Sequence, residues 1–240
     1  MKDIAPENFE KAREQIHRQM LSAVSHDLKT PLATIIGSLE IFQRMGDKLS
    51  PEKKSSLMLS ALGEAYRLDN FITNILDMAK LESGMVKIKN EPTDICLLLQ
   101  DCITRLGPRA KNGRITLSAL PCRGRLFSTD PMLLGRAVGL VLDNALKHTG
   151  KEPHITISCE LTEQELVIDI QDNGPGIATD KHEAIFSKYT RLSRNDQQNA
   201  GTGLGLSICR QIMLLLSGSV EVHNHSAGGA VFRLRAPAAA

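Results

Sequence analysis

Tryptophan is absent from this 240-residue sequence, and two Tyr and six Phe supply all of its 3% aromatic content. Stacking platforms for single-stranded nucleic acid need more rings than that. A dominant sign of charge is also missing: 29 Lys and Arg stand among 27 Asp and Glu, for a net charge of +2. No basic stripe speaks for a phosphate backbone, so no nucleic-acid partner is expected. Long apolar runs are missing too. Nothing approaches the roughly 18 consecutive apolar residues of a membrane span, and Met1 to Gln19 is too charged for a signal peptide. The five cysteines, Cys96, Cys102, Cys122, Cys159 and Cys209, contain no C-x-x-C pair and are odd in number. Neither a disulfide framework nor a zinc site is expected, and a soluble chain in a reducing, cytoplasmic compartment fits best.

What is present is 42% hydrophobic residues, enough for ordinary cores, in two regions of different periodicity. From about Pro6 to Met45, Leu21, Val24, Leu28, Leu32, Ile35, Leu39 and Phe42 recur at steps of three or four and predict one long helix with an apolar seam. Gly46 suits its end, and Ser50-Pro51 suits the N-cap and first position of a second helix reaching about Ser83. There Met58, Ala61, Ala65, Leu68, Ile72, Ile75 and Ala79 keep the same alternation. Leu57, Leu62, Leu76 and Met78 widen the stripe beyond what one partner helix covers. The expectation is an antiparallel hairpin, residues 1–85, that dimerises into a four-helix bundle.

Residues 86–93 read as a linker, with Asn90-Glu91-Pro92-Thr93 at its end, and residues 94–240 as a second domain of α/β type. An amphipathic helix is expected from Asp94 to Arg105, with Thr93 or Asp94 as its cap. Alternating runs predict strands at Arg114–Ser118, His154–Cys159, Glu165–Gln171, Ser219–His223 and Ala230–Arg235. Asp130-Pro131 opens a helix through Lys147, and Leu204 to Leu216 forms another.

Four segments carry chemistry. In Ser25-His26-Asp27-Leu28-Lys29-Thr30-Pro31-Leu32, His26 lies roughly 200° around the helix from Val24 and Leu28, so it faces away from the seam. Imidazole is nucleophilic when neutral, and an adjacent carboxylate such as Asp27 can orient the ring and take its proton. Thr30, one turn later, offers a hydroxyl on the same face, and Pro31 removes a helical hydrogen bond, predicting a kink. Taken alone, an exposed His on a helix with a proline kink is ordinary. Asp172-Asn173-Gly174-Pro175-Gly176-Ile177 follows a strand: a carboxylate there can accept from the exocyclic amine of adenine while glycines let the backbone approach the base, although these are also common turn residues. Gly201-Thr202-Gly203-Leu204-Gly205-Leu206 runs into a helix and offers N–H groups to phosphates. The segment before it, Lys188 to Ala200, is polar, which fits a lid better than the strand of a dinucleotide fold. On the helix opened by Asp130, Asn144 supplies an oxygen suited to Mg²⁺, and Lys147 a charge suited to phosphate.

In this order the motifs resemble those of the sensor histidine kinases of two-component signalling, across essentially the whole chain. Ser25–Leu32 is similar to the family's phosphoacceptor box, Asp143 to His148 to its asparagine box, and Asp172–Ile177 and Gly201–Leu206 to its two glycine boxes, while Phe186 and Tyr189 match its aromatic box. Ala23 to Leu28 and Asn74 to Ala79 resemble in particular the potassium-sensing KdpD branch. The resemblance implies a dimerisation and phosphotransfer hairpin followed by a Bergerat-type ATP-binding domain, a two-layer α/β sandwich. It implies autophosphorylation of His26 from ATP with Mg²⁺, assisted by Asp27, then transfer to an Asp of a response regulator, and dephosphorylation of that regulator through Thr30. It implies nucleotide contacts from Asn144, Lys147, His148, Asp172, Gly174, Gly176, Ile177, Tyr189, Gly201, Thr202, Gly203, Leu204, Gly205 and Leu206. Asn144 would be the metal ligand. Any membrane attachment would come from a sensor region outside these residues. One position departs from the pattern: members often carry Asn four residues before the magnesium Asn, and related ATP-hydrolysing proteins carry a catalytic Glu there. Leu140 can serve neither way. It leaves Asn144 to carry more of the coordination, argues against a dedicated ATPase, and keeps open a binding module without turnover.

Overall fold

The computed structural model describes residues 27–107, 114–118, 122–150, 152–190 and 203–238. The chain divides into two compact units, Met1–Ile75 and Leu76–Ala240.

In the first unit, helix α1 covers residues 27–45, and a 3-10 turn at Gly46–Lys48 leads to α2, Pro51–Glu82. Ser50 starts α2 as expected of a helix cap: the Lys53 N–H donates to its hydroxyl at 3.4 Å and the Lys54 N–H to its carbonyl at 3.0 Å. α1 continues through Pro31, and the Thr34 hydroxyl donates to the Thr30 carbonyl at 3.2 Å. The apolar stripe is wide. Leu32, Leu39, Phe42, Met58, Leu62, Ile72 and Leu76 are all exposed in the single chain. Met78, expected on the same uncovered stripe, is buried instead. The expected helix before Asp27 lies outside the described residues.

The second unit is built on strands β2 (Arg114–Ser118), β4 (His154–Leu161), β5 (Glu165–Asp172), β6 (Ser219–Asn224) and β7 (Ala230–Pro237), in the order β2-β4-β5-β7-β6. Only β2 and β4 run parallel; the other neighbours are antiparallel. Strict alternation decides which face is buried. Ile155, Ile157, Cys159 and Leu161 of β4, Leu166, Ile168 and Ile170 of β5, and Phe232, Leu234 and Ala236 of β7 form the inner face. Helices α3 (Ile95–Arg105), α4 (Pro131–His148) and α5 (Gly205–Leu215) supply the second layer through Ile95, Leu99, Leu134, Leu142, Ile208 and Ile212. The outer face is polar. Its centre is a two-pronged pair in which Arg233 donates to Asp169 through Nε (2.8 Å) and a terminal nitrogen (2.6 Å).

Three sequence expectations change. The segment expected as linker contains strand β1, Glu91–Asp94, which pairs antiparallel with β3, Leu126–Thr129, a strand the periodicity did not predict. Asp130 pins this arrangement: its Oδ1 accepts from the Met132 and Leu133 N–H groups to cap α4, and its Oδ2 accepts from the Lys89 N–H at 2.8 Å. Second, the division between units falls inside α2, so its last turns group with the second unit, where Asp77 accepts from Arg136 of α4 at 2.7 Å. Third, Cys122 and Cys159 are joined in a disulfide, although no disulfide was expected. Cys159 projects from the inner face of β4 under the turn that carries Cys122, so the fold brings together two residues 37 apart in sequence. Among the described residues Cys96, Cys102 and Cys209 are free. Burial pushes the Cys102 thiol up to about 11 and the Cys209 thiol up to about 12, so neither is a nucleophile at neutral pH.

Candidate nucleotide site

Helix α4 is the spine of the site. Leu140, Asn144 and His148 stand at successive steps of four and therefore share one face, about 6 Å of helix rise apart. Each end of that row meets one glycine motif. A Cβ on Gly205, the first residue of α5, would stand 3.7 Å from a Leu140 methyl, and a Cβ on Gly174 would stand 3.0 Å from the His148 carbonyl oxygen. The start of α5 meets the middle of α4 and the loop after β5 meets its C-terminal end, with the half-buried Asn144 between them. Leu140 is buried against the glycine that opens α5, which gives the departure from the family pattern an apolar packing role.

Asp172 closes β5 and is 5% exposed. Its Oδ1 accepts from the Gly174 N–H at 2.8 Å and from the Ala230 N–H at 3.2 Å. Among the described residues its Oδ2 accepts no hydrogen bond, so one carboxylate oxygen is held by the fold and the other is left to accept from a ligand. Gly229 permits this: at φ +86° a Cβ there would stand 1.9 Å from the Asp172 carbonyl oxygen. Sequence reasoning missed Gly229 and Ala230; the Gly228-Gly229 pair before β7 was the available signal.

At the other end, the Tyr189 N–H donates to the Gly203 carbonyl at 2.9 Å. Tyr189 itself has φ +61°, in the left-handed region that non-glycine residues seldom adopt. A Cβ on Gly203 would stand 2.8 Å from the Tyr189 carbonyl carbon, so the aromatic segment and the second glycine motif are closed on each other at the base of the segment between them. Burial, then the nearby Glu82 carboxylate, raises the Tyr189 hydroxyl above its ordinary range, keeping it a neutral donor. Phe186 packs edge-on against Phe232 with centroids 6.5 Å apart, and Arg210 lies over its ring. Where Asp94 and Asp130 cap α3 and α4, the N-cap residue of α5 is Leu204, whose side chain has no acceptor to offer the first turn, a terminus suited to an anion. Lys147 pairs with Asp143 one turn earlier on α4. A divalent cation suits the remaining donor set: Mg²⁺ keeps most of its waters and takes one or two protein oxygens plus those of the phosphates, and Asn144, on the stretch of α4 between the two glycine motifs, carries one amide oxygen.

The structure therefore brings together Asn144, His148, Asp172, Gly174, Gly203, Leu204 and Gly205 from three separate stretches of chain. Gly176 and Ile177 continue the loop beyond Gly174, and Leu206 lies in the first turn of α5. Asp27 and Thr30 lie on α1 in the first unit. His26, Gly201 and Thr202 lie outside the described residues. Among the described residues no helix is long and apolar enough to cross a membrane.

A two-layer sandwich whose two glycine motifs border one helix, preceded in the chain by two helices, defines a class of ATP-binding domain. Comparison with known proteins narrows it. Residues 16–84 match the His Kinase A (phospho-acceptor) domain, and residues 129–240 match the histidine kinase-, DNA gyrase B-, and HSP90-like ATPase. The sensor protein KdpD of Escherichia coli (strain K12) is 32% identical over 94% of this chain, which spans 25% of that protein's length. Full-length ShkA in complex with AMPPNP is similar in structure, with TM-score 0.63 and 25% identity over 92% of this chain and 46% of that one. The fold is also that of histidine kinase ThkA in its complex with response regulator protein TrrA, with TM-score 0.67 and 20% identity over 99% of this chain and 68% of that one. The chain belongs to the sensor histidine kinases.

Proposed function

We propose that this chain is the ATP-dependent autokinase core of a two-component system and that His26 receives the γ-phosphoryl group. In this reading Asp172 accepts from the adenine amine, Gly174, Gly176 and Ile177 line the base, and Gly201 to Leu206 with the first turn of α5 hold the phosphates. Asn144 and Lys147 present the triphosphate, His148 and Tyr189 border it, and Asn144 is the protein ligand for Mg²⁺, which when bound shields the phosphate charge. One nitrogen of neutral His26 attacks the γ-phosphorus, the bond to the ADP oxygen breaks, and Asp27 takes the proton from the other ring nitrogen. The phosphoryl group then passes to an Asp carboxylate of a response regulator, as the pairing of ThkA with its regulator suggests by analogy. Thr30 positions water for the reverse task, removal of phosphate from that regulator. Residues 1–85 serve as a homodimeric phosphotransfer hairpin, 86–93 join it to the ATP-binding region, and 94–240 bind the nucleotide; the uncovered leucines of both helices support the dimer. We place the working protein in the cytoplasm, with any anchor outside this chain.

The observation that carries the proposal is the convergence of both glycine motifs on one face of α4, at Leu140 and His148, with Asn144 between them. Incubation with Mg-ATP and mass spectrometry for acid-labile phosphate tests it. His26→Gln is expected to abolish incorporation while ATP still binds, and undiminished incorporation would sink the assignment. Thr30→Ala is expected to slow regulator dephosphorylation with autophosphorylation unchanged. A second reading, a dimer that binds nucleotide without turnover, rests on Leu140: it predicts ATP binding with no acid-labile phosphate.

A further inference from the structure

The loop after β5 is held from outside as well as from within. The Asn224 side chain, at the end of β6, bonds both polar groups of one residue: its Oδ1 accepts from the Ile177 N–H at 2.8 Å, and its Nδ2 donates to the Ile177 carbonyl at 2.7 Å. Because an N–H can only donate and a carbonyl only accept, this pairing fixes the orientation of the amide. His182 reaches the same carbonyl, with Nε2 at 3.0 Å, and must donate from that nitrogen because a carbonyl has no proton to give. Asn224 therefore satisfies the main chain of Ile177 as a neighbouring strand would, at a place where β6 has ended. Gly176 is shaped to the same contact: at φ +74°, a Cβ there would stand 2.9 Å from the Asn224 Oδ1.

We infer that Asn224, seconded by His182, is a positioning residue that sets the depth of the adenine pocket by clamping Ile177 while Asp172 clamps Gly174. The inference rests on the nucleotide reading above. Gly174 is anchored on Asp172 and lies close against the His148 carbonyl, Ile177 is anchored on Asn224 and His182, and the two residues between are Pro175, with its fixed φ, and Gly176, pressed against the clamp. Without the outer clamp, Gly176 regains freedom that the bound base must then remove, so the penalty falls on nucleotide affinity and on discrimination between bases. The second glycine motif, which meets α4 at Leu140, makes no contact with this clamp among the described residues, so the transfer step is not expected to depend on it.

The isosteric change Asn224→Asp separates this from a packing role. It keeps the volume and the acceptor for the Ile177 N–H, but it replaces the donor by an oxygen facing the Ile177 carbonyl. In the full 240-residue chain, titration with the Mg²⁺ complex of a non-hydrolysable ATP analogue is expected to weaken about tenfold, with the preference for adenine over guanine nucleotide falling in parallel. The rate of phosphate incorporation at saturating ATP should stay within about twofold, a KM effect without a kcat effect. Asn224→Ala should weaken binding no more than Asn224→Asp does, and His182→Gln, which returns a donor, should recover more affinity than His182→Ala. Circular dichroism of the unliganded variants controls for folding. Wild-type affinity in Asn224→Asp, or an equal fall at saturating ATP, would overturn the clamp. Asp172→Ala tells the two claims apart: if it binds nucleotide as the parent does, the site reading itself fails, whereas lost binding there with normal Asn224→Asp refutes the clamp alone.

Discussion

The two units solve the same problem differently. In the second, Leu134, Leu142, Ile157, Ile170 and Phe232 are fully buried, because a sheet with one apolar face and three amphipathic helices cover one another within a single chain. In the first, Leu32, Ile36, Leu39, Met58, Leu59 and Leu62 keep between 47% and 66% of their surface exposed. Two helices have one contact line, and a stripe wider than that line has nowhere to go within the hairpin. The second unit covers its own apolar surface, while the described residues of the first leave a stripe uncovered, which in the proposed reading a second copy of the chain covers. In the proposed reading the binding chemistry sits where the chain closes its own core, and the acceptor helix where it does not.

The largest expected effect tests the self-sufficient unit. Phe232 lies at the centre of the inner face, fully buried and edge-on to Phe186. Phe232→Ala should cost about 3–5 kcal/mol in urea unfolding, with a midpoint independent of protein concentration. A loss below about 1 kcal/mol would mean that this core is not the source of the unit's stability. The next effect tests the dependent unit. Leu39, 59% exposed in the single chain, would be buried in a four-helix bundle, where a leucine is worth about 1.5–3 kcal/mol. Leu39→Asp should raise the dimer dissociation constant by about 10- to 100-fold in sedimentation equilibrium, leaving nucleotide affinity unchanged. An unaltered dimer would place the interface on another face and break the contrast.

The same contrast explains what the sequence revealed. The five core strands, α2 and α3 to α5 were legible because each carries the period of the surface it buries, and Ser50, Asp94 and Asp130 announced the helix starts. The small sheet was not. β1 contains Pro92 and buries only Thr93, while β3 exposes Leu126 and buries Phe127, so neither has a pattern separable from loop; they exist because Asp130 ties Lys89 beside them. The disulfide was illegible because an odd count says nothing about which inner-face residue lies under which turn. Within the site, residues that touch nucleotide in the proposed reading announced themselves as local motifs. Asn224 and Gly229 did not, for their function depends on β6 and β7 delivering them to a loop about 50 residues earlier in the chain.

The smallest effect sharpens the comparison at the surface, where the units should resemble each other and differ only in geometry. Arg67 in α2 reaches Glu64 one turn away through a single nitrogen, at 3.4 and 3.5 Å from the two oxygens. Arg233 on β7 engages Asp169 of the neighbouring strand with two parallel bonds of 2.8 and 2.6 Å, and this pair raises the Arg233 guanidinium further above its ordinary range. The helical pair is made within one element and leaves both side chains free to swing, so Arg67→Ala should cost no more than about 0.5 kcal/mol and vanish in high salt. The cross-strand pair ties two segments together in a fixed fork, so Arg233→Ala should cost about 1 kcal/mol. Arg233→Lys should recover less than half of it, because an ammonium cannot make both parallel bonds. Paired denaturant melts at low and high salt read both numbers. If Lys restored the whole of the Arg233 loss, the pair would be a simple charge contact, no different in kind from that of Arg67, and the order of the sheet's outer face would have to come from the strands alone.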